Sequence, residues 1–457
     1  MAKQKYDFDL IILGTGGGGS VAAHIAAAAS KKVAIIEATE IGGECPNWGC
    51  IPTKALIHAA TIYDQAKRGQ QFGIRSGALS YNYPSIKAWK DLAVYRTGTA
   101  QGKRAYENEG IKVYSGAAHF VSPHEITVNR RHYTAENFLI ATGTSTYIPP
   151  IDGLQKCGYI TFKEATNLTR PPKSIFIIGS GPTGCEFAEL FAIFGTKVYL
   201  SDMTSRILNK EDEEVGELLR EEFETKRGMT VLTNTKVIKV AKDGITKRVT
   251  YQQGTGVKSV KVDEILIATG KTANVDIGLE NAKVDYTPRG IITNEYMQTS
   301  AKNIYAAGDV VGPYMYTHMA IYQSRLAANN ILHKQKIAAD YRAVPRCTYT
   351  TPEVASVGVS EDECIKRDLR TKKAVVPISI IGRSNTTNND AGFVKVITNK
   401  DDQLIGATIV CPGATEMIHE LTLAIQHRMT AADIANTIHA FPTWSEAIRT
   451  ACNKVMR

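Results

Sequence analysis

No stretch of this 457-residue sequence approaches the roughly 18 consecutive apolar residues of a membrane span. It also lacks any run of five or more basic residues, and its aromatics are not interleaved with basic ones. The net charge of +9 therefore reads as a thinly spread surface charge that helps steer anionic nucleotides, and no nucleic-acid or membrane partner is expected. No secretory signal is expected either. The first apolar stretch, "DFDLIILGTG", starts late, is short and runs straight into glycines. Cysteine is sparse: of the eight, those at 157, 185, 347, 364, 411 and 452 stand isolated. That is not the density of a disulfide-stapled secreted domain, and a reducing cytoplasm is the expected compartment.

What is present is ordinary in bulk and specific in pattern. Hydrophobic content of 43% and charged content of 22% suit a globular protein, and the length predicts about two to four domains. Phe8 to Leu13 is an apolar run stopped by Gly14, and Gly14, Gly16 and Gly19 fit G-x-G-x-x-G ahead of a helix. In such a turn the first glycine allows the bend, the second lets a pyrophosphate approach the backbone, and the third lets helix and strand pack closely. The helix N-terminus then offers free N–H groups to phosphate. Glu37 ends the next strand, where an acid can accept hydrogen bonds from a ribose diol. The arrangement recurs at Gly179, Gly181, Gly184 and Asp202, with the acid 23 residues after the first glycine in both copies. The string "LIATG" also occurs twice, at 139–143 and 266–270, each time as the strand returning to its own sheet. Two dinucleotides in one chain imply electron transfer between them.

The stretch "GECPNWGCIPTK" sets Cys45 and Cys50 five positions apart. A zinc site would need two more ligands, and the nearest histidines, His24 and His58, supply no suitable spacing. No metal site is expected. A fixed structural disulfide does not suit a reducing compartment, so a redox pair fits best. Pro52 belongs in the first turn of a helix, which places Cys50 at that helix's N-terminus, where the dipole stabilises a thiolate. Lys54 adds a positive charge one turn on.

These residues closely resemble the redox motif of the class I pyridine nucleotide–disulfide oxidoreductases, a family that includes dihydrolipoamide dehydrogenase, glutathione reductase and mercuric reductase. "TSAKNIYAAGDVVG" near 299–312 and "TTPEVASVG" extend the resemblance over nearly the whole chain. It implies FAD on the first fingerprint and NAD(P)H on the second. Gly14, Gly16, Gly19 and Glu37 would hold the ADP half of FAD, and Asp309 the ribityl chain. Ala118, Gly143 and Gly270 complete the implied cofactor set. Cys50 would be the thiolate facing the flavin and Cys45 the interchange thiol, with Lys54 and Glu186 paired near the flavin. Asp202 favours NADH, since a carboxylate bonds a free 2′-hydroxyl and repels a 2′-phosphate; Arg206, four residues on, works against that preference. Lys271 replaces the arginine more usual after the second "ATG" and loses the bidentate fork.

One part of the pattern breaks. "HAFPTWSE" resembles the family's His-Pro-Thr-x-Ser-Glu, in which the histidine crosses a dimer interface to act as acid–base and a carboxylate, here Glu446, orients it. Phe441 stands at the histidine position and cannot carry a proton. His439 would lie roughly 6.5 Å away along an extended segment and reads as a surface or interface polar residue. The tail "TACNKVMR" holds Cys452 alone, without the adjacent cysteine pair of mercuric reductase.

The expected fold is α/β: two Rossmann-like dinucleotide-binding domains plus a C-terminal α+β dimerisation domain. The expected segments are 1–150 (FAD, first part), 151–275 (NAD(P)), 276–342 (FAD, second part) and 343–457 (interface). The expected protein is a homodimeric FAD-dependent NAD(P)H oxidoreductase working through Cys45–Cys50 on a small-molecule acceptor. The alternatives are a mercuric or other metal-ion reductase and a redox-sensor flavoprotein.

Overall fold

The run Phe8–Leu13 is buried almost throughout, as suits a strand with a parallel neighbour on each side. The computed structural model describes residues 6–75, 77–98 and 102–457. The chain divides into two units, one of segments 1–56, 84–147 and 270–339, the other of 57–83, 148–269 and 340–457.

In the first unit the strands run Lys112–Ser115, Val33–Glu37, Phe8–Leu13, Arg131–Ile140, Glu125–Val128, Ala118–Ser122 across one sheet, and Ile304–Ala306 also pairs with Arg131–Ile140. The pairings among the first four are parallel, and the last three make an antiparallel meander. Helix Gly17–Ala28 is built of small residues and lies close against helix Thr317–Leu332. A Cβ on Gly17 would sit 3.5 Å from Ala320 Cβ, and Ala22 N donates to Ser324 Oγ at 3.0 Å.

In the second unit a parallel sheet runs Thr230–Leu232, Lys197–Ser201, Ser174–Ile178, Glu264–Ile267, with helix Pro182–Ile193 after the glycine turn. An antiparallel sheet of three strands covers Thr235–Asp243, Thr246–Gln253 and Gly256–Val262. The C-terminal part is an antiparallel five-stranded sheet, Arg346–Thr348, Glu353–Gly358, Leu404–Cys411, Phe393–Asn399, Thr371–Pro377. Helices Ala414–Gln426 and Glu446–Val455 close one core with it through Ile409, Ile418, Leu421 and Ile448.

Candidate active site

The two glycine turns are near-copies. Gly14 and Gly179 have φ of 108° and 104°, the left-handed side where a Cβ is strained. A Cβ on Gly14 would meet Ala141 O at 2.2 Å, and one on Gly179 would meet Ala268 O at 2.3 Å. Those alanines are the ones in the repeated "ATG", so each glycine turn is seated on the end of its returning strand. Gly19 and Gly184 would place a Cβ 2.0 and 1.9 Å from Gly14 O and Gly179 O, close backbone packing only glycine permits. The middle glycines face room: a Cβ on Gly16 meets only Gly43 Cα at 3.8 Å, and one on Gly181 meets nothing within 4 Å. That is the space a pyrophosphate needs above a helix N-terminus.

The acids repeat as closely. Glu37 Oε2 accepts from Thr15 N at 3.0 Å and Thr15 Oγ1 at 2.6 Å, and its Oε1 accepts from Thr39 N and Oγ1. Asp202 Oδ2 accepts from Ser180 N at 2.7 Å and Oγ at 2.8 Å, and its Oδ1 accepts from Thr204 N and Oγ1. Burial opposes charge on Asp202, but the bonds from Thr204 and Ser180 outweigh it and hold its pKa below the ordinary carboxylate value. A ribose diol fits either site by replacing the rotatable hydroxyls while the backbone N–H groups keep the carboxylate aimed. These four hydroxyl residues escaped the sequence reading. The signal was there: Thr15 and Ser180 both follow the first glycine, and Thr39 and Thr204 both stand two past the acid.

Just ahead of helix Cys50–Arg68 lies a pinned segment that includes the short helix Glu44–Asn47. Asn47 Nδ2 donates to Ile41 O and Gly43 O, and Gly49 N closes back on Glu44 O. Helix Cys50–Arg68 then begins, with Thr53 donating through both N and Oγ1 to Gly49 O and Pro52 in the first turn, where no N–H is required. Cys45 and Cys50 are free thiols hydrogen-bonded to each other. The Cys45 S–H bond lowers the Cys50 pKa, burial opposes, and the Thr317 hydroxyl with Lys54 and Lys271 adds to the lowering, to about 6. The same sulfur–sulfur hydrogen bond, with burial and the Cys50 charge, pushes Cys45 well above the ordinary thiol value. Thr317 Oγ1 stands 3.5 Å from Cys50 Sγ, at the start of helix Thr317–Leu332. Lys271 forms an ion pair with Glu44 of the cysteine loop and lies 3.4 Å from Asp309 Oδ2. Burial works against its charge, yet Glu44 and Asp309 hold its pKa above the ordinary lysine value. Asp309 also accepts from Thr144 Oγ1 at 3.4 Å.

The remaining positions are spread more widely. Ala118 opens its strand and pairs with Val128, and Gly143 and Gly270 sit at positive φ at the ends of the two "ATG" strings. Glu186 is buried rather than on a helix surface, and its Oε1 accepts from Tyr349 N at 3.0 Å. Lys54 lies one turn into helix Cys50–Arg68. Glu446 opens the last helix and accepts from Thr443 N at 3.2 Å, so without an imidazole its carboxylate caps backbone. Phe441 is 77% exposed, with its ring edge against Gly382. His439, read as a surface or interface polar residue, has a side chain only 6% exposed within its own chain. Its ring is engaged by Thr437 O at 2.8 Å and Glu420 Oε1 at 2.9 Å.

Two dinucleotide cradles, each with its acid, and a cysteine pair on a helix N-terminus define a flavin- and nicotinamide-dependent disulfide reductase. The chain belongs to the pyridine nucleotide–disulphide oxidoreductase family, whose model matches residues 8–324, with that family's dimerisation domain at residues 344–452. It is an FAD-dependent pyridine nucleotide–disulfide oxidoreductase, and the family uses FAD and NAD(P)H. Dihydrolipoyl dehydrogenase of Geobacillus stearothermophilus is 35% identical over 448 residues, covering 96% of this chain and 94% of that protein. Mercuric reductase of Staphylococcus aureus is 32% identical over 448 residues, covering 97% and 82%. A Cu(II) complex of the HOCl-induced flavoprotein disulfide reductase RclA from Escherichia coli has a TM-score of 0.87 at 26% identity, covering 99% of this chain and all of that one. The dimerisation domain supports a homodimer. No helix among the described residues is long and apolar enough to cross a membrane.

Proposed function

We propose that the protein takes reducing equivalents from NADH and delivers them through a Cys45–Cys50 disulfide to a thiophilic metal ion. FAD, held by Gly14, Gly16, Gly19, Glu37 and Asp309, would supply hydride acceptance from the nicotinamide and electron-pair donation to the disulfide. Gly179, Gly181, Gly184 and Asp202 would hold the nicotinamide nucleotide. The observation that carries the reading is the asymmetric thiol pair, with Cys50 favoured as thiolate and Cys45 as thiol. Lys54 and Glu186 are each proposed as catalytic residues. The four-segment division and a reducing cytoplasm belong to the same proposal.

The acceptor follows from proton accounting. A disulfide substrate needs Cys45 deprotonated for attack and its own leaving thiolate protonated, work a positioned imidazole performs. Phe441, at the family's histidine position, offers neither. His439 is committed to Glu420 and Thr437. A thiophilic cation needs no such help, because binding a thiol displaces its proton. The dithiol then gives two electrons to one ion, or one to each of two ions. Two protons leave and the disulfide re-forms. Mercuric reductase among the relatives, and the Cu(II) complex of RclA among the structures, are in keeping with this class of acceptor.

The test is steady-state NADH oxidation with Cu(II), Hg(II), lipoamide and glutathione disulfide as acceptors. Turnover with an ion well above that with either disulfide is the expected result. Faster turnover with lipoamide would return the protein to dihydrolipoyl dehydrogenase chemistry. A single stoichiometric reduction that then stops would make it a redox sensor.

A further inference from the structure

Arg206 belongs to the loop that carries Asp202, and the two are joined through one hydroxyl. Thr204 Oγ1 is 2.8 Å from Asp202 Oδ1 and 2.9 Å from Arg206 O. An arginine in that place is the residue type that grips a 2′-phosphate, and next to a carboxylate it makes the nucleotide preference of the site ambiguous. The guanidinium, however, is turned to another partner. Its Nη2 donates to Asp362 Oδ2 at 2.6 Å and to Glu211 O at 3.2 Å. Asp362 comes from the dimerisation domain, 156 residues further along the chain.

The segment around Asp362 is fastened where it stands. Glu361 N donates to Asp212 Oδ1 at 2.9 Å, and Lys395, with no exposed side-chain surface, meets Glu361 at 2.6 Å and Asp212 at 3.1 Å. Arg346 holds Glu211 at 3.2 Å. The carboxylate of Asp362 is thus delivered to Arg206 from the first turn of an anchored helix, Glu361–Lys366. Meanwhile Arg206 Nε is buried without a hydrogen-bond partner among the described residues. A donor in that state costs free energy, so the side chain is retained in this position by the Asp362 bond against a local penalty.

We propose that Asp362 is a specificity-determining residue for the nicotinamide nucleotide: it holds Arg206 away from the ribose 2′ position and keeps the site selective for NADH. The proposal rests on the reading of Asp202 as the ribose acid. With Asp362 in place, a 2′-phosphate meets the Asp202 carboxylate and no free guanidinium. Without it, Arg206 is released to pair with the phosphate, in the bidentate manner its fork allows.

The test measures binding of NAD⁺ and NADP⁺ to the FAD-loaded enzyme by calorimetry, so that the readout does not depend on turnover. Asp362→Asn, and Asp362→Ser as a second variant, are expected to tighten NADP⁺ by about tenfold to a hundredfold, the worth of one charge-assisted hydrogen bond. NAD⁺ affinity should stay within about twofold. The gain should vanish in Asp362→Asn/Arg206→Met. No gain in either single variant, or a gain that survives without Arg206, overturns the proposal while leaving Asp202 untouched. A wild-type enzyme that already prefers NADP⁺ sinks the reading of Asp202 and the latch together.

Discussion

Lys271 Nζ stands 3.4 Å from Asp309 Oδ2 while pairing with Glu44, and so ties the proposed ribityl carboxylate to the loop that carries Cys45. This lysine occupies the place where the family more usually has arginine, and a single ammonium reaches both carboxylates. Lys271→Met should leave two neighbouring carboxylates without their shared cation. The three side chains are 21–29% exposed, so the expected cost in chemical denaturation is about 1–2 kcal/mol, between the worth of a surface pair and the cost of breaking a fully buried one. The variant should also raise the Cys50 pKa, since Lys271 favours the thiolate. Lys271→Arg keeps the charge and should recover most of both effects. An unchanged thiol titration in Lys271→Met would break the electrostatic link to Cys50.

The thiol titration itself is a direct measurement. With a Cys50 pKa lowered to about 6, alkylation of the reduced enzyme by iodoacetamide should rise with pH around that midpoint. Below it the thiolate protonates and labelling slows; above it the rate levels off. Cys45 should label slowly throughout, because the bond it gives to Cys50 and its burial keep it protonated. Cys45→Ser should lose acceptor turnover by about 10³-fold or more, as expected for deleting a nucleophile. Equal labelling of both thiols at neutral pH would contradict the assignment of roles.

Phe441→His restores the residue type that disulfide exchange requires. Turnover with lipoamide or glutathione disulfide should rise, by as much as about 10²–10⁴-fold if the imidazole reaches its place. Activity with Cu(II) should change little. His439→Ala, by contrast, should leave both activities near their starting values, since that ring is committed to Glu420 and Thr437 within its own subunit. A large loss of metal-ion turnover in His439→Ala would mean that the ring moves into the site.

The sequence made the local devices legible and the long-range ones not. Glycine spacing, terminal acids and the helix-starting Pro52 are set by backbone geometry within a few residues, and the structure has each where the pattern put it. The burial of Glu186 and His439 was not legible, because solvent exposure depends on what packs against a side chain. Their partners, Tyr349 and Glu420, stand 163 and 19 positions away. Thr317, Glu44 and Asp362 left no spacing signal, because each acts on a partner from a separate motif. Lys395 is the extreme case. Within "GFVKVITNK" nothing announces its partners, and it is fully buried among Asp212, Glu214 and Glu361.

That lysine carries its own expectation. Burial opposes its charge, but Glu361, Asp212 and Glu214 raise its pKa above the ordinary lysine value. The stabilisation is complete below the unfolded lysine pKa and is lost only as pH climbs through the raised folded one, so neutral and mildly alkaline solutions should not touch it. Lys395→Met strands the carboxylates of Asp212 and Glu361 and should cost about 3–5 kcal/mol in urea denaturation. A loss under about 1 kcal/mol would show that water replaces the ammonium, as it does at exposed pairs.

The two nicotinamide-site glycines separate binding from folding. A methyl group on Gly181 enters open space, and its φ of −69° is one any residue adopts. Gly181→Ala should therefore melt within about 1 kcal/mol of wild type, as substitutions away from packed contacts do. It should still weaken NADH, because the methyl stands where the backbone would receive the pyrophosphate. Gly184→Ala places its methyl 1.9 Å from Gly179 O, a contact that no rotation relieves, so strand and helix must move apart. That variant should lose several kcal/mol of stability, and nucleotide binding with it. Calorimetry with NAD⁺ and thermal melting on the same two proteins distinguish the cases. If Gly181→Ala bound NAD⁺ as tightly as wild type, the phosphates would have to lie elsewhere, and the assignment of the second cradle would fall.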